Sequence, residues 1–198
     1  MWLVPIAISY LLGSVPFGYI TTYLVKKIDI RNYGSGNIGA TNVARILGKR
    51  WGSFVFFLDF LKGFISMLMA YLFFSCYSYW LFILVALASI AGHNWSIFLR
   101  FKGGKGVSTS IGATLGLCFK YFPLSIPLFV SLFVWIIVFF IFKYVSLASL
   151  LATFFFFLLS IIILEWEFKI FSLFIFILIV IRHKKNIKNL LQGKELGV

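Results

Sequence analysis

Long apolar runs alternate with short polar stretches rich in glycine and lysine along the whole chain. A helix needs about 20 apolar residues to cross a bilayer, and fewer where other protein surrounds it. On that measure the pattern predicts spans at 2–25, 52–74, 79–99, 107–121, 124–142, 145–164 and 168–182. The fourth is the least apolar: it carries Ser108, Thr109, Ser110, Gly112 and Thr114 and stops near Pro123. Small and hydroxyl residues favour close helix–helix packing, so this span is expected to face protein more than lipid. The phenylalanines at 154–157 read as lipid-facing. The expected architecture is all-α, a polytopic membrane protein with seven transmembrane helices in one membrane-embedded domain over 1–198. No internal repeat is evident, which speaks against a transporter built from inverted halves. The first run lacks a basic start and leads straight into a motif, so it does not read as a removable signal peptide.

Composition agrees with this reading. Hydrophobic residues make up 62% of the 198 positions and charged residues 12%, about half the roughly 25% of a soluble domain. Eighteen Lys and Arg against five acids give a net charge of +13. With the N-terminus outside, one side holds Lys26, Lys27, Arg31, Arg45, Lys49, Arg50, Arg100, Lys102, Lys105, Lys143, Arg182, Lys184, Lys185, Lys188 and Lys194. Only Lys120 and Lys169 face the other side, and Lys62 lies within a span. The positive-inside rule therefore puts the C-terminus in the cytoplasm, together with all three base-rich polar segments.

The acids are Asp29, Asp59, Glu165, Glu167 and Glu195. Only Glu165 and Glu167 are close together, in a short loop, so a carboxylate cluster around Mg²⁺ is not expected. Cys76 and Cys118 stand alone in apolar segments as buried thiols without metal-ligand spacing. The excess of bases points to anionic partners. Nucleic acid is not expected, because the bases lie in short loops between spans rather than along one soluble face.

Three polar segments carry the candidate chemistry. In the first, Gly34, Gly36 and Gly39 satisfy G-x-G-x-x-G, but no strand precedes them, so a dinucleotide site is not indicated. Glycines nonetheless let backbone N–H groups turn toward an anion. Ser35, Asn37, Thr41 and Asn42 add neutral donors, and Arg45 offers a planar bidentate fork. The second segment, through Lys102, Gly103, Gly104, Lys105 and Gly106, fails the Walker pattern because Gly106 follows the lysine. A glycine-rich turn opening the fourth span would still aim free N–H groups and the positive helix end at a phosphate. His93, near the end of the third span, reads first as a core histidine bonded to a neighbouring helix, and Trp95 as an interfacial or packing residue. The third segment starts at Arg182. His183 and Asn186 would share a helical face there, Glu195 is its sole acid, and a basic helix on the membrane surface is an alternative reading. Asp59 and Lys62 are three apart within the second span, the spacing of an internal ion pair. Ser146 and Ser149 share a face at the start of the sixth span, where helix packing is an ordinary role for serine.

Taken in order, these residues resemble the bacterial acyl-phosphate:glycerol-3-phosphate acyltransferase family. The likeness takes in 13–18, 34–42 with Arg45, Asp59, Lys62 with Gly63, Gly92 with His93, 101–106, 144–146, and Arg182, His183, Asn186 and Ile187. It covers nearly the whole chain. The tail departs slightly, with Lys184, Lys185 and Asn189 where relatives are expected to carry arginine or acid.

The resemblance implies a multi-pass enzyme of the bacterial cytoplasmic membrane with its site at the cytoplasmic face. It would move a fatty acyl group from acyl phosphate to the sn-1 hydroxyl of glycerol 3-phosphate, giving 1-acylglycerol 3-phosphate (lysophosphatidic acid) and phosphate for phospholipid synthesis. It implies no cofactor and no direct use of acyl-CoA or acyl carrier protein. Ser35, Arg45, Gly103, Gly104, Lys105 and Ser146 would hold phosphate. His183 and Asn186 would orient glycerol 3-phosphate, and Glu195 would pair with a base. The proton acceptor stays open between His183 and the substrate's own phosphate. The acyltransferase class with Asp five positions after His is not supported, since Phe98 follows His93 and Lys188 follows His183 at that spacing. The rival class is an anion transporter or lipid-phosphate flippase, which would need charge to reach the midplane and the outer face.

Overall fold

Pro16 divides the first apolar run, because a ring without N–H cannot continue the hydrogen-bond ladder. The computed structural model describes residues 2–74 and 78–197. In it the run 2–25 becomes α1 (Leu3–Ser14) and α2 (Phe17–Lys26). The break frees the carbonyl of Ser14 to accept from Ser96 Oγ, and that of Val15 to accept from Lys62 Nζ at 3.0 Å. A proline kink thus becomes an anchor for another helix, through Lys62, and for the loop at Ser96.

The remaining helices are α3 (Ala40–Leu47), α4 (Lys49–Phe74), α5 (Tyr79–Asn94), α6 (Val107–Cys118), α7 (Ser125–Phe142), α8 (Val145–Ile163), α9 (Trp166–Arg182) and α10 (Lys184–Leu191). No strand occurs among the described residues. Five segments are long and apolar enough to cross a membrane: Leu3–Lys26, Lys49–Phe74, Tyr79–Leu99, Phe122–Phe142 and Val145–Ile163. The other two expected spans are shorter, 12 residues in α6 and 17 in α9.

Several boundaries differ from the sequence reading for identifiable reasons. The stretch 40–47, read as loop, forms α3: its apolar positions recur at helical spacing, and Val43 packs under it with Ile30, Ile38, Val55 and Leu99. Helix α9 begins two residues early, with Glu165 at its cap and Glu167 in its first turn rather than in a loop. Carboxylates there oppose the positive helix end. In the phenylalanine run Phe154 and Phe155 are exposed as expected, but Phe156 turns inward and is buried. Cys118 is a buried thiol against the Thr114 carbonyl; Cys76 lies outside the described residues.

Glycine sets the closest contacts. A Cβ on Gly63 of α4 would strike the Thr109 carbonyl of α6, and one on Gly112 of α6 would strike the Phe60 carbonyl of α4. Gly13 of α1 meets Ser89 of α5 in the same way, and Gly92 of α5 meets Tyr10 of α1. Thr109 Oγ1 adds a bond to the Asp59 carbonyl at 2.9 Å. As expected, α6 is wrapped by protein, with Thr109, Ser110, Gly112, Ala113 and Thr114 all buried. The main core lies between α4, α5, α6, α8 and α9, around Phe82, Met67, Phe168 and Phe171.

Overpacking a tight contact costs about 1–3 kcal/mol. Gly112→Leu should therefore lower the thermal midpoint of the detergent-solubilised protein by several degrees, whereas Leu72→Ala, on an exposed side chain, should move it little. Equal midpoints for the two variants would contradict the contact described.

Candidate active site

Three separated stretches build one cleft, and each is shaped by its own local chemistry. In the first, Lys27 ends α2 in the left-handed region and Asp29 caps a short 3-10 turn over Ile30–Asn32, accepting from the Arg31 N–H and guanidinium. Gly34 and Gly36 have φ of +58° and +74°, the left-handed region where glycine carries no steric penalty. Asn42 staples the turn: its Nδ2 donates to the carbonyls of Tyr33 and Asn37, and its Oδ1 accepts from Ser35 N–H. Asn37 Oδ1 accepts from Gly39 N–H. The polar atoms of Asn42, expected to bind a ligand, are thus engaged in shaping the loop. Ser35, Thr41 and Arg45 remain turned to the cleft.

The second stretch lies across the end of α5. Gly104 N–H donates to the His93 carbonyl at 2.9 Å. A Cβ on Gly103 would meet that carbonyl and Asn94; one on Gly104 would meet the His93 imidazole; one on Gly106 would meet Asn94 Oδ1. The three glycines are therefore required by packing on α5, a role the sequence reading did not give them. Gly106, at φ +81°, turns the chain into α6. The N–H groups of α6's first turn have no partner within the helix and sit beside Lys105, Gly106 and Ser108 on the cleft wall.

The third stretch follows α9. Arg182 Nε and Nη2 donate to the carbonyls of Gly104 and Gly103 at 2.9 and 2.8 Å. His183 is buried, with Nδ1 2.8 Å from the Ile179 carbonyl. A carbonyl only accepts, so Nδ1 carries the proton and Nε2 is an acceptor. The chain then folds back after α10. Glu195 Oε1 accepts from Ser146 Oγ and Asn186 Nδ2, while Arg45 donates to the carbonyls of Leu196 and Gly197.

The resulting cleft has a volume of about 490 Å³. Ser35, Asn37, Thr41, Asn42, Arg45, Lys105, Gly106, Ser146, His183, Asn186 and Glu195 line it, and Asp59 and His93 reach its floor. Its other wall is apolar: Phe56 from α4, Ile111 from α6, Leu132, Trp135 and Phe139 from α7, and Val145 from α8. Ser108, Lys49 and Ser53 also line it and were not anticipated. Ser108 follows the glycine–lysine turn by two residues and Lys49 follows Arg45 by four, and these spacings were the available signals.

Three expected residues fall elsewhere. Lys102 is exposed on the far side of the loop, over a groove it shares with Arg31 and Arg100. Gly103 lines another groove with Asp29 and Arg31, and Gly104 is packed against His93. Their positions follow from the Arg182 grip, which turns this part of the loop away from the cleft.

Asp59 and Lys62 form the ion pair their spacing predicts, at 2.8 Å and fully enclosed. Asp59 Oδ1 also lies 3.5 Å from His93 Nδ1. A carboxylate therefore stands next to a histidine, and it serves His93 rather than His183. No group of three His, Cys, Asp or Glu side chains suited to a metal occurs among the described residues.

The electrostatics follow from burial. Burial pushes the Lys105 ammonium down to about 8, with Glu195 opposing and Arg45 and Arg182 assisting. Burial and the Lys105 charge push His183 down to about 3, so it is neutral at physiological pH. Burial also lowers Arg45, which keeps its charge.

This arrangement has close relatives. A family profile described as glycerol-3-phosphate acyltransferase matches residues 3–193. A glycerol-3-phosphate acyltransferase of Aquifex aeolicus is 46% identical over 189 residues, covering 94% of each chain. One from Staphylococcus haemolyticus is 40% identical, covering 98% of this chain and 96% of its own. Among solved structures, the glycerol 3-phosphate form of PlsY, an integral membrane glycerol 3-phosphate acyltransferase, superposes with a TM-score of 0.89 at 42% identity, covering 100% of this chain and 95% of that one. The lysophosphatidic acid form of PlsY gives 0.85 at 41% identity, covering 99% and 94%. On the strength of its full-length profile match and these relatives, the chain is an acyltransferase and belongs to the glycerol-3-phosphate acyltransferase family.

Proposed function

We propose that this acyltransferase moves a fatty acyl group from acyl phosphate to the sn-1 hydroxyl of glycerol 3-phosphate, releasing lysophosphatidic acid and inorganic phosphate for phospholipid synthesis. One observation carries the reading. Residues from 35–45, 105–108 and 183–195 converge on a single cleft that is cationic on one side and apolar on the other. A substrate with a phosphate head and a hydrocarbon tail matches both walls. Relatives described by their glycerol 3-phosphate and lysophosphatidic acid forms support the substrate and the product.

The topology belongs to the same proposal. Seven spans, with the N-terminus outside and the three base-rich segments in the cytoplasm, place the cleft at the inner face of the bacterial cytoplasmic membrane. The base distribution supports this orientation. The apolar wall formed by α4 and α7 lets the acyl tail enter sideways from the bilayer.

The chemistry asks little of a protein acid. Acyl phosphate is activated already. The glycerol hydroxyl oxygen attacks the acyl carbon, the carbon–oxygen bond to phosphate breaks, and phosphate leaves with the electron pair. Two anionic groups must be held together for this, so positioning and charge stabilisation dominate. Arg45, Lys105 and the amides opening α6 supply that charge. Arg45's bonds to two neutral carbonyls give way readily to a phosphate, since charge-assisted bonds are about twice as strong. Neutral His183, fixed by Ile179, offers Nε2 as an acceptor for the attacking hydroxyl. Its low proton affinity favours a substrate phosphate oxygen as the final proton acceptor. No step calls for acyl-CoA, acyl carrier protein or a cofactor.

Purified protein in liposomes should release phosphate from acyl phosphate only when glycerol 3-phosphate is present. Labelled glycerol 3-phosphate crossing the bilayer unacylated would instead support a transporter. Arg45→Ala and Lys105→Ala should each cut turnover about 10²–10³-fold, the cost of losing a group that stabilises developing charge; unchanged turnover in folded protein would rule out the electrostatic role. Lys105 is charged below about 8 and neutral above it, so turnover should fall as pH rises through 8. Lys105→Arg should remove that alkaline limb, because a guanidinium holds its proton. His183→Ala should lose well under the roughly 10²–10⁴-fold expected of a general base, and the wild type should show no acidic limb near the ordinary imidazole value. A larger loss together with such a limb would make His183 the base.

A further inference from the structure

We infer that Arg182 is a positioning residue that clamps the 103–106 turn in its anion-facing orientation, with Trp95 as the platform for the clamp. The inference rests on the proposed role of the cleft in holding phosphate.

Arg182 does not line the cleft. Its guanidinium carbon lies 5.7 Å from the centroid of the Trp95 ring, and its fork spans two consecutive carbonyls, those of Gly103 and Gly104. Trp95 is itself tethered, since its carbonyl accepts from Tyr10 Oη at 2.7 Å. Among the described residues no carboxylate lies within ion-pair distance of Arg182. A half-buried guanidinium is thus spent on two neutral acceptors, an expensive use of charge unless the orientation of those peptides matters.

Peptide geometry indicates what the clamp achieves. In a planar trans peptide the C=O and the following N–H point to opposite sides. With the Gly104 carbonyl held by Arg182, the Lys105 N–H is turned away from Arg182, to the side on which Lys105 and Gly106 meet the cleft. Pairing the carbonyl with a cation also polarises that peptide and strengthens its N–H as a donor. The opposite flank of the turn is held by the Gly104 N–H bond to the His93 carbonyl. Loop, helix end and arginine therefore form one support behind the phosphate cradle. A lysine at 182 would keep the charge but lose the planar fork.

The test compares wild type, Arg182→Gln, Arg182→Lys, Trp95→Ala and Trp95→Phe in detergent. Inorganic phosphate binding is read by calorimetry, and KM, kcat and the thermal midpoint are read separately. Losing one charge-assisted anion bond corresponds to about tenfold or more in affinity. Arg182→Gln should thus weaken phosphate binding and raise KM for glycerol 3-phosphate by about tenfold or more, with kcat less affected. Arg182→Lys should recover part of the loss. Trp95→Ala should shift binding in the same direction by about threefold, and Trp95→Phe, which keeps a smaller ring, by less. A merely structural arginine would lower the midpoint and the active fraction while leaving phosphate affinity and KM of the folded protein unchanged, and that result overturns the inference. If Arg182→Gln fails to fold, unchanged phosphate affinity in Trp95→Ala overturns it equally. A wild type that binds phosphate but acylates nothing would refute the proposed reaction, while the binding ratios would still decide the clamp.

Discussion

Close backbone contact through glycine is the constraint from which the site follows. Inside a bilayer, helices gain little by hiding apolar surface from each other, because lipid tails are equally apolar; van der Waals packing and buried polar bonds decide which helices associate. Gly63 against Thr109 and Gly112 against Phe60 press α6 onto α4. Gly13 and Gly92 do the same for α1 and α5. With α5 and α6 fixed in this way, the chain joining them must cross the end of α5 at contact distance. Only residues without a side chain can do so at 103, 104 and 106. The proposed anion cradle is thus a by-product of helix packing as much as of ligand chemistry.

Much of this was legible beforehand. The long apolar helices come from side-chain solvation, which is additive along the chain and therefore readable one residue at a time. The Asp59–Lys62 pair could be read from its spacing for a similar reason, since two charges one helical turn apart in lipid have few other partners. Pro16 was in plain view, yet the use made of the carbonyls it frees depends on Lys62 and Ser96, far away in sequence. Helix α3 was hidden because its glycine-rich approach draws attention to turns. Its helical apolar pattern becomes meaningful only when Ile30 and Leu99 are seen to close beneath it.

The misplaced site residues share one cause. Lys102, Gly103 and Gly104 fall outside the cleft, and Asn42 lines it but spends its polar atoms on the loop; the sequence shows only what their side chains or glycine amides can donate. Their real positions are set by backbone partners: the carbonyls gripped by Arg182 and the turn stapled by Asn42. Hydrogen bonds to main chain leave no residue-type signature, so an arginine that binds carbonyls looks like one more loop base. The histidines illustrate the same point. His93 has a carboxylate and His183 only a carbonyl, and nothing in sequence spacing distinguishes them.

The shortness of α6 carries a further consequence. Twelve residues rise only about 18 Å, against a hydrocarbon thickness of about 30 Å. The apolar segment Phe122–Phe142 has 21 residues and is long enough to cross, so on the proposed topology its start, and the end of α6 beside it, lie at the outer side. The turn that follows nevertheless exposes Phe119 and Phe122. Its amides are internally bonded, Phe119 to Gly116 and both Lys120 and Tyr121 to Leu117. With Lys120 among its residues, this turn suits the outer interface rather than the acyl-chain interior. The shortfall of α6 then falls at its other end, so on that topology the turn that opens it, and the cleft beside that turn, are recessed into the inner half of the bilayer.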